Sequence, residues 1–516
     1  MVLQIPLSLS ASETFQRRVL GPTFAKNLAN SPSFKNLTTL NLNRNHHIQS
    51  LATTGIVSRK HFISSVNLPR SKIGPKGVQY ITTSQHLKNL TFLDLSDNCI
   101  GTKGAEAIAN SETFKNLTCL SLLGNEIRTF GLVLMMRSEN VKNLKFLNLA
   151  SNQMTSIDAQ YVACSEKLTQ LTHLDLSSNE IGPIGALVIA NSDSLKNLTF
   201  LNLSTNPQLG SEGAKCISNG KNLKNLTVLH VHGCEFASEG AKFIANSQNF
   251  TKLTSLDLSS NNIKEGGIDS IANSEYLKNL TYLDLAFNSI GPGGMKSLAN
   301  SPTLKNLTSL NLYLIEPEGA NCLANSKYLT RLTLLDVSHC GIGLKGTEYI
   351  VNSPNVQNLT SLAISDLIGP EGAKCIANGE YLKKLTLLSL IHCGFGSEGA
   401  TAIVTCEKLK NLTLLDLSFN DIGPESLHSM NDENLKNLIS LNLEGNRLGS
   451  EGAECIVNSS KLNNMTKLRN LNLRNNQFSS ENEKLIEQKL TSLNFDRRPR
   501  FTFIRLDQWF SQKKLK

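Results

Sequence analysis

The sequence predicts an α/β solenoid: a horseshoe of stacked units, with a parallel β-sheet lining the concave side and α-helices covering the convex side. Three observations predict it. The phrase L-x-x-L-x-L-x-x-N, or a close variant, starts at Leu37, Ile63, Leu90, Leu117, Leu144, Leu171, Leu198, Leu226, Leu253, Leu280, Leu307, Leu332, Leu359, Leu385, Leu412, Leu438 and Leu468. Ten of the sixteen intervals are 27 residues, so one unit is copied with little change in length. Each copy also switches its apolar period midway, from that of a strand to that of a helix.

The first part of each unit is a strand. In the copy starting at Leu280, Leu283 and Leu285 alternate with Tyr282, Asp284 and Ala286, which sets the leucines inward and the others outward. The Asn that follows marks a turn and offers a side chain to backbone groups that would otherwise be buried unpaired. Cys234, Cys340 and Cys393 replace it in three copies. Next comes a helix, on which Ala105, Ile108 and Ala109 share one face in the Leu90 copy. Pro75, Pro183, Pro292 and Pro370 stand at helix starts, where a missing N–H loses no bond. The Asn before Ser at the helix end is expected to take a left-handed cap. One such unit cannot bury its own apolar face, so each needs neighbours on both sides. About eighteen parallel strands roughly 4.8 Å apart give an inner arc of about 85 Å, and the wider helices bend the stack.

Composition is that of a folded chain, with 40% hydrophobic and 18% charged among 516 residues. A net charge of +9 over this length suits solubility as well as an acidic partner. No window holds the 18 apolar residues of a membrane span. The start, MVLQIPLSLSASE, lacks a basic n-region and is broken by Gln4 and Pro6, which argues against a secretory leader. Eleven cysteines without a CxxC pair exclude zinc-ribbon and thioredoxin patterns. Cys216, Cys322, Cys375 and Cys455 fill one helix position, and with the turn cysteines they read as small buried hydrophobes. Cys340 and Cys393 fall two units apart, roughly 10 Å and beyond disulfide reach, which points to a reducing, cytoplasmic setting or delivery into a host cytoplasm.

The phrase LTHLDLSSNEIGPIGALVIANS, Leu171 to Ser192, resembles the ribonuclease-inhibitor-like class of leucine-rich repeats, in its Asn/Cys alternation and Gly-Ala helix start. The resemblance covers about residues 10 to 495. It implies a horseshoe that binds a protein on its concave face, since members of this class share a fold and not a chemistry. The class includes repeats of the Ran GTPase-activating protein, which implies a GTPase regulator as an alternative. That family ends in an acidic segment, whereas this chain ends basic. GALA-type bacterial effectors imply a ubiquitin-ligase substrate adaptor, but repeat-like LGPTFAKNLANS from Leu20 leaves little room for an F-box ahead of the repeats.

Apparent sites mostly dissolve into the repeat. Asn-Leu-Thr triplets at Asn36, Asn89, Asn116, Asn197, Asn225, Asn279, Asn306, Asn358 and Asn411 look like glycosylation acceptors, yet every middle Leu is a core position. Gly291-Pro292-Gly293-Gly294 opens a helix without any P-loop lysine, so it predicts no phosphate site. His230 and His232 lack a third exposed ligand, and Cys234 belongs to the turn column, so no metal is expected. No catalytic grouping or cofactor motif stands out, which makes an enzyme the lesser reading.

Two charged columns remain, a rim of Lys35, Lys88, Lys115, Lys196, Lys278, Lys305 and Lys410, and a hollow faced by Asp94, Asp175, Asp257, Asp284, Asp336 and Asp416. An acidic hollow disfavours nucleic acid. Outward apolar residues form two runs. Phe92, Phe146, His173, Phe200 and Val228 make the first; Tyr282, Phe287, Tyr313, Leu314, His339, Ile391, His392 and Phe419 make the second. Exposed aromatic groups on a curved sheet are typical anchors for a partner protein. Two shortened copies, NLYLIEPEGA from Asn311 and AISDLIGPEGA from Ala363, lose the turn Asn and should disturb its ladder. The expected organisation is a capping segment and degenerate repeat at 1–36, an array of about 17 repeats at 37–495, and a basic tail at 496–516 containing Trp509. Together these give a monomeric, non-catalytic scaffold whose candidate contacts are the two apolar runs with Asp94, Asp175, Asp257 and Asp284.

Overall fold

The computed structural model describes residues 21–42, 65–67, 72–430, 432–458 and 464–492. The first twenty residues, the repeat start Ile63 and the basic tail with Trp509 lie outside the described residues. The chain divides into two compact units, one holding the described residues up to Phe236 with 247–253, the other 237–246 with those from Thr254 onward.

Among the described residues, the first unit has strands from β1 (Thr39–Asn41) to β8 (Val228–His230), most of them three residues long and all parallel to their neighbours. Its helices are α1 (Pro22–Ala29), α2 (Gly74–Thr82), α3 (Gly101–Ala109), α4 (Arg128–Arg137), α5 (Ser156–Ala163), α6 (Pro183–Ala190) and α7 (Gly210–Asn219). The second unit repeats the plan with strands β9 (Ser255–Asp257) to β17 (Asn470–Asn472) and helices from Ala237–Ala245 to Ser480–Ser492. Register is strict: Phe92, Cys119, Phe146, His173, Phe200 and Val228 stand side by side on successive strands. Each unit is thus an α/β solenoid with strands on one face and helices on the other.

The core lies between the two layers. Leu171, Leu174 and Leu176 of one copy are buried, together with Ile181, Ala186 and Ile189 of its helix. The helix glycine serves close packing: a Cβ on Gly131 would come within 2.9 Å of the Ala105 Cβ and 3.2 Å of the Thr102 Cα. Only glycine lets α4 approach α3 so closely.

Polar ladders lock each copy to the previous one. The Asn152 carboxamide oxygen accepts from the Asn125 and Ile127 N–H groups, both at 3.2 Å, while its amide donates to the Leu122 carbonyl at 2.9 Å. Ser111 donates to the Thr82 carbonyl at 2.8 Å. The Asn-Leu-Thr triplet supplies two further rungs around one core leucine. Asn116 donates to the Lys88 carbonyl at 3.1 Å, and Thr118 to the Thr91 carbonyl at 3.1 Å. What looks like a glycosylation acceptor is a hydrogen-bonded seam.

Three expectations need correction. Helix-ending asparagines are right-handed, with Asn110 at φ −91°, because the next residue must lay its Ser hydroxyl over the preceding helix end. Left-handed residues instead flank the turn Asn, as Asp97 and Cys99 flank Asn98. The strand of the copy at Ile63 does not intervene between its neighbours: β1 pairs directly with β3 (Phe92–Asp94), and β2 (Ser65–Asn67) pairs with β1 as well, while the helix of that copy, α2, packs in line between α1 and α3. The rungs around the strand agree, since Asn89 and Asn98 donate straight to the Lys35 and Leu42 carbonyls. Finally, the turn cysteines are buried as expected, but Cys216, Cys322, Cys375 and Cys455 are half-buried on the helix face.

The shortened copies reroute the ladder. Asp366 takes the acceptor role of the missing Asn, receiving the Gly341 and Ile342 N–H groups at 3.1 Å each. In the copy at Leu307, the Ile315 and Glu316 N–H groups reach the Cys340 carbonyl directly, at 3.1 and 2.9 Å.

Candidate functional site

Each copy offers its strand face two strand residues and then two turn residues, the last of them left-handed in most copies. In the Leu412 copy these are Leu414, Asp416, Ser418 and Phe419. The second position carries the expected acidic column, but its carboxylates turn back on their own chain. Asp175 and Asp257 each accept the N–H and hydroxyl of the Ser two residues on, Ser177 at 3.0 and 2.7 Å and Ser259 at 3.0 and 2.6 Å. Ser96 bonds Asp94 in the same way. Asp284 accepts from the Ala286 N–H, the Tyr282 hydroxyl and the Asn311 amide at 2.9, 3.1 and 3.0 Å. Burial raises the carboxyls of Asp175, Asp284 and Asp416, and the neighbouring Asp257 raises Asp284 further.

The first apolar run forms a floor. Phe92, Cys119 and Phe146 make one buried cluster. His173 continues it, stacked at 5.6 Å on Phe200, which meets His230 edge-on at 5.3 Å. Burial lowers the pKa of His173. Tyr282 is buried likewise, its hydroxyl held by Asp284.

The second run differs in both line and exposure. Phe287, Leu314 and Phe419 are 56%, 43% and 39% exposed, and His339 and His392 are exposed too. All five occupy the left-handed position, with φ between 50° and 57°. That conformation is uncommon for any residue but glycine and costs about 1 kcal/mol, most of all for bulky side chains. In the first unit the same position holds Asp97, Gly124, Ser151, Ser178, Thr205 and Gly233, all of them small or polar, with Gly and Asp tolerating it best. Phe287 lies 4.8 Å from the Tyr313 ring, and His392 stacks on Phe419 at 4.5 Å. The Phe419 ring also rests on Gly445, where a Cβ would fall 2.3 Å from it. Leu367, 81% exposed, was not anticipated. Its signal was its place just after Asp366, the residue that repairs the shortened ladder.

The other apparent sites have structural occupants. The Glu265 carboxylate lies against Gly293, so an acidic group already covers that helix start. Cys234 donates its thiol to the Leu203 carbonyl at 3.2 Å. Among the described residues no group of three His, Cys, Asp or Glu side chains is placed to hold a metal ion. No described helix is long and apolar enough to cross a membrane.

Models of leucine-rich repeats match residues 142–191, and 86–109, 194–218, 222–245, 251–272, 276–299, 328–351, 381–404, 408–429 and 434–457. Together they span just over half of the chain. This is a leucine-rich repeat protein. Solved structures similar to this leucine-rich repeat chain include an internalin from Listeria monocytogenes, at 22% identity over 75% of this chain and 87% of that one, with a TM-score of 0.36. A leucine-rich repeat protein of Leptospira interrogans aligns at 20% identity over 81% and 91%, with a TM-score of 0.34. The yeast Rad7 and Elc1 complex aligns at 16% identity over 64% and 76%, with a TM-score of 0.41. No curated protein matches by sequence.

Proposed function

We propose that this leucine-rich repeat protein is a non-catalytic scaffold that binds a partner protein through the strand face of its second unit. One observation carries the reading. Phe287, Leu314, His339, His392 and Phe419 hold large side chains exposed at a strained backbone position where small residues would be more stable. The ladder imposes the conformation in nearly every copy, so what calls for a function is the choice of bulky side chains at a position that disfavours them. A protein suits the surface better than a nucleic acid, because the left-handed column of this unit carries neither Lys nor Arg. Phe92, Phe146 and Tyr282 offer little area and serve as the floor on which the fold is laid. The eleven unbridged cysteines suit a reducing, cytoplasmic compartment.

The test is affinity capture with the intact chain beside a variant carrying Phe287, Leu314, His392 and Phe419 changed to Asn. Circular dichroism establishes that the variant is folded. Partners recovered by the intact chain should be lost from the variant, and identical recoveries would refute the assignment.

A further inference from the structure

A second unusual place lies on the helix face of the second unit, where the helix Glu425–Ser429 packs against the helix Gly449–Asn458. The first has 5 residues, against 10 in the second. A helix so short holds few bonds of its own and depends on its neighbours. Across the contact, the Cys455 sulfur lies 3.2 Å from Nε2 of His428 and 3.9 Å from its Nδ1. His428 is the one histidine on a helix among the described residues. Three other copies carry Cys at the same helix position, Cys216, Cys322 and Cys375, and each also has Glu four residues earlier. Their surroundings differ. Cys375 meets the Glu348 carboxylate at 3.9 Å, not an imidazole. Beside Cys216 and Cys375 a lysine pairs with the earlier Glu, Lys215 with Glu212 at 3.0 Å and Lys374 with Glu371 at 3.8 Å. In the Cys455 copy Glu454 replaces that lysine, so Glu451 and Glu454 set two exposed carboxylates beside the thiol.

Thiol, imidazole and carboxylate together are the donors of a borderline-soft divalent ion. We propose that Cys455, His428 and Glu451 bind a transition-metal ion of the zinc type, which fastens the short helix to its successor. A tetrahedral ion with bonds of about 2.3 Å to sulfur and about 2.0 Å to nitrogen holds those two donors about 3.5 Å apart, close to the spacing already present. Glu451 precedes Cys455 by four residues, one turn on the same helix face, so a rotation of its side chain brings in the third donor and water completes the shell. The place is open to solvent: His428 and Glu451 are exposed and Cys455 is half-buried. Glu425, one turn before His428, attracts the imidazole and accepts the Ser397 hydroxyl at 2.9 Å, as a carboxylate behind a ligating ring does. A free nucleophile is the poorer reading of the same thiol. Burial and the charges of Glu451 and Glu454 push its pKa up, which leaves little thiolate at neutral pH. Those carboxylates attract a cation instead, and coordination then removes the proton.

Cobalt(II) and zinc salts added to the full, reduced chain test this. Cobalt should give the near-ultraviolet absorption of a cobalt–thiolate bond, saturating at one equivalent, and zinc should displace it, since zinc binds such donors more tightly. Cys455→Ser and His428→Ala should each abolish the band. Glu451→Gln should weaken cobalt binding by at least about tenfold, and Cys375→Ser should change nothing. Zinc should raise the melting temperature of the wild type and not that of Cys455→Ser. Without metal the variants should melt with the wild type, because their side chains lie on the helix surface. The absence of a cobalt–thiolate band, a band that survives Cys455→Ser, or one indifferent to His428→Ala would each overturn the proposal.

Discussion

Asn152 shows how one residue holds three copies of the repeat. Its oxygen receives two N–H groups of the copy before, its amide reaches the Leu122 carbonyl, and its own N–H donates to Asn179 of the copy after at 2.9 Å. Asn152→Ala leaves the Asn125 and Ile127 N–H groups buried and unpaired, a loss of about 3 kcal/mol in urea unfolding. Asn152→Cys should lose less, since a thiol keeps the donor bond, as Cys234 does to Leu203. Equal losses would mean that the donor bond contributes nothing. Asp175 makes the opposite kind of point. Burial holds its carboxyl above the ordinary range, so at neutral pH its charge opposes folding. As pH falls through that raised value, the folded chain gains a proton that the unfolded chain takes only near about 4. Its contribution to stability therefore improves on acidification. In the next copy Asn202 fills the same position and accepts the Ser204 N–H at 3.0 Å. Asp175→Asn should then match or exceed wild-type stability at pH 7 and flatten the profile toward pH 5, as urea titrations at the two pH values would register.

At the scale of the turn, backbone strain and side-chain size pull apart. Phe287 sits at φ 54° with more than half its surface wet, so Phe287→Asn removes little packing and suits the left-handed backbone better. Stability should change by less than about 0.5 kcal/mol while partner binding weakens at least tenfold. A loss above about 1 kcal/mol would show that the ring is structural. The strand, turn and helix of each copy were legible because their leucines alternate or recur with fixed periods, a pattern that burial alone imposes. Left-handed φ at Phe287 or His392 was not legible. It is set by the ladder that pulls the following Asn or Cys into the core, and nothing in the identity of Phe or His announces it. The place of β2 was hidden for a related reason: the apolar spacing around it imitates the repeat, but the rungs from Asn89 and Asn98 already join the strands on either side of it in sequence.

Across the described residues, the stabilising contacts named above run within one copy or between adjacent copies, and this makes stability a chain of local terms within each unit. The apolar outer positions of α4, α5 and α6 illustrate what such a chain conceals from sequence. Phe130, Ile157 and Ile184 are spaced 27 residues apart, as core residues would be, and only the structure separates the outer line from the inner one. The same locality predicts how damage spreads. Leu174 is fully buried between the strand and helix layers, and Leu174→Ala removes about 2–5 kcal/mol of packing. In a solenoid that loss is felt first by the strands in register with it, Phe146–Asn148 and Phe200–Asn202, and then fades from copy to copy. Hydrogen exchange of the variant should show protection lost most at those amides and least at Phe92–Asp94, three strands away. A uniform loss throughout the first unit would mean that its copies unfold in one step, and the nearest-neighbour account of the ladders would fall with it.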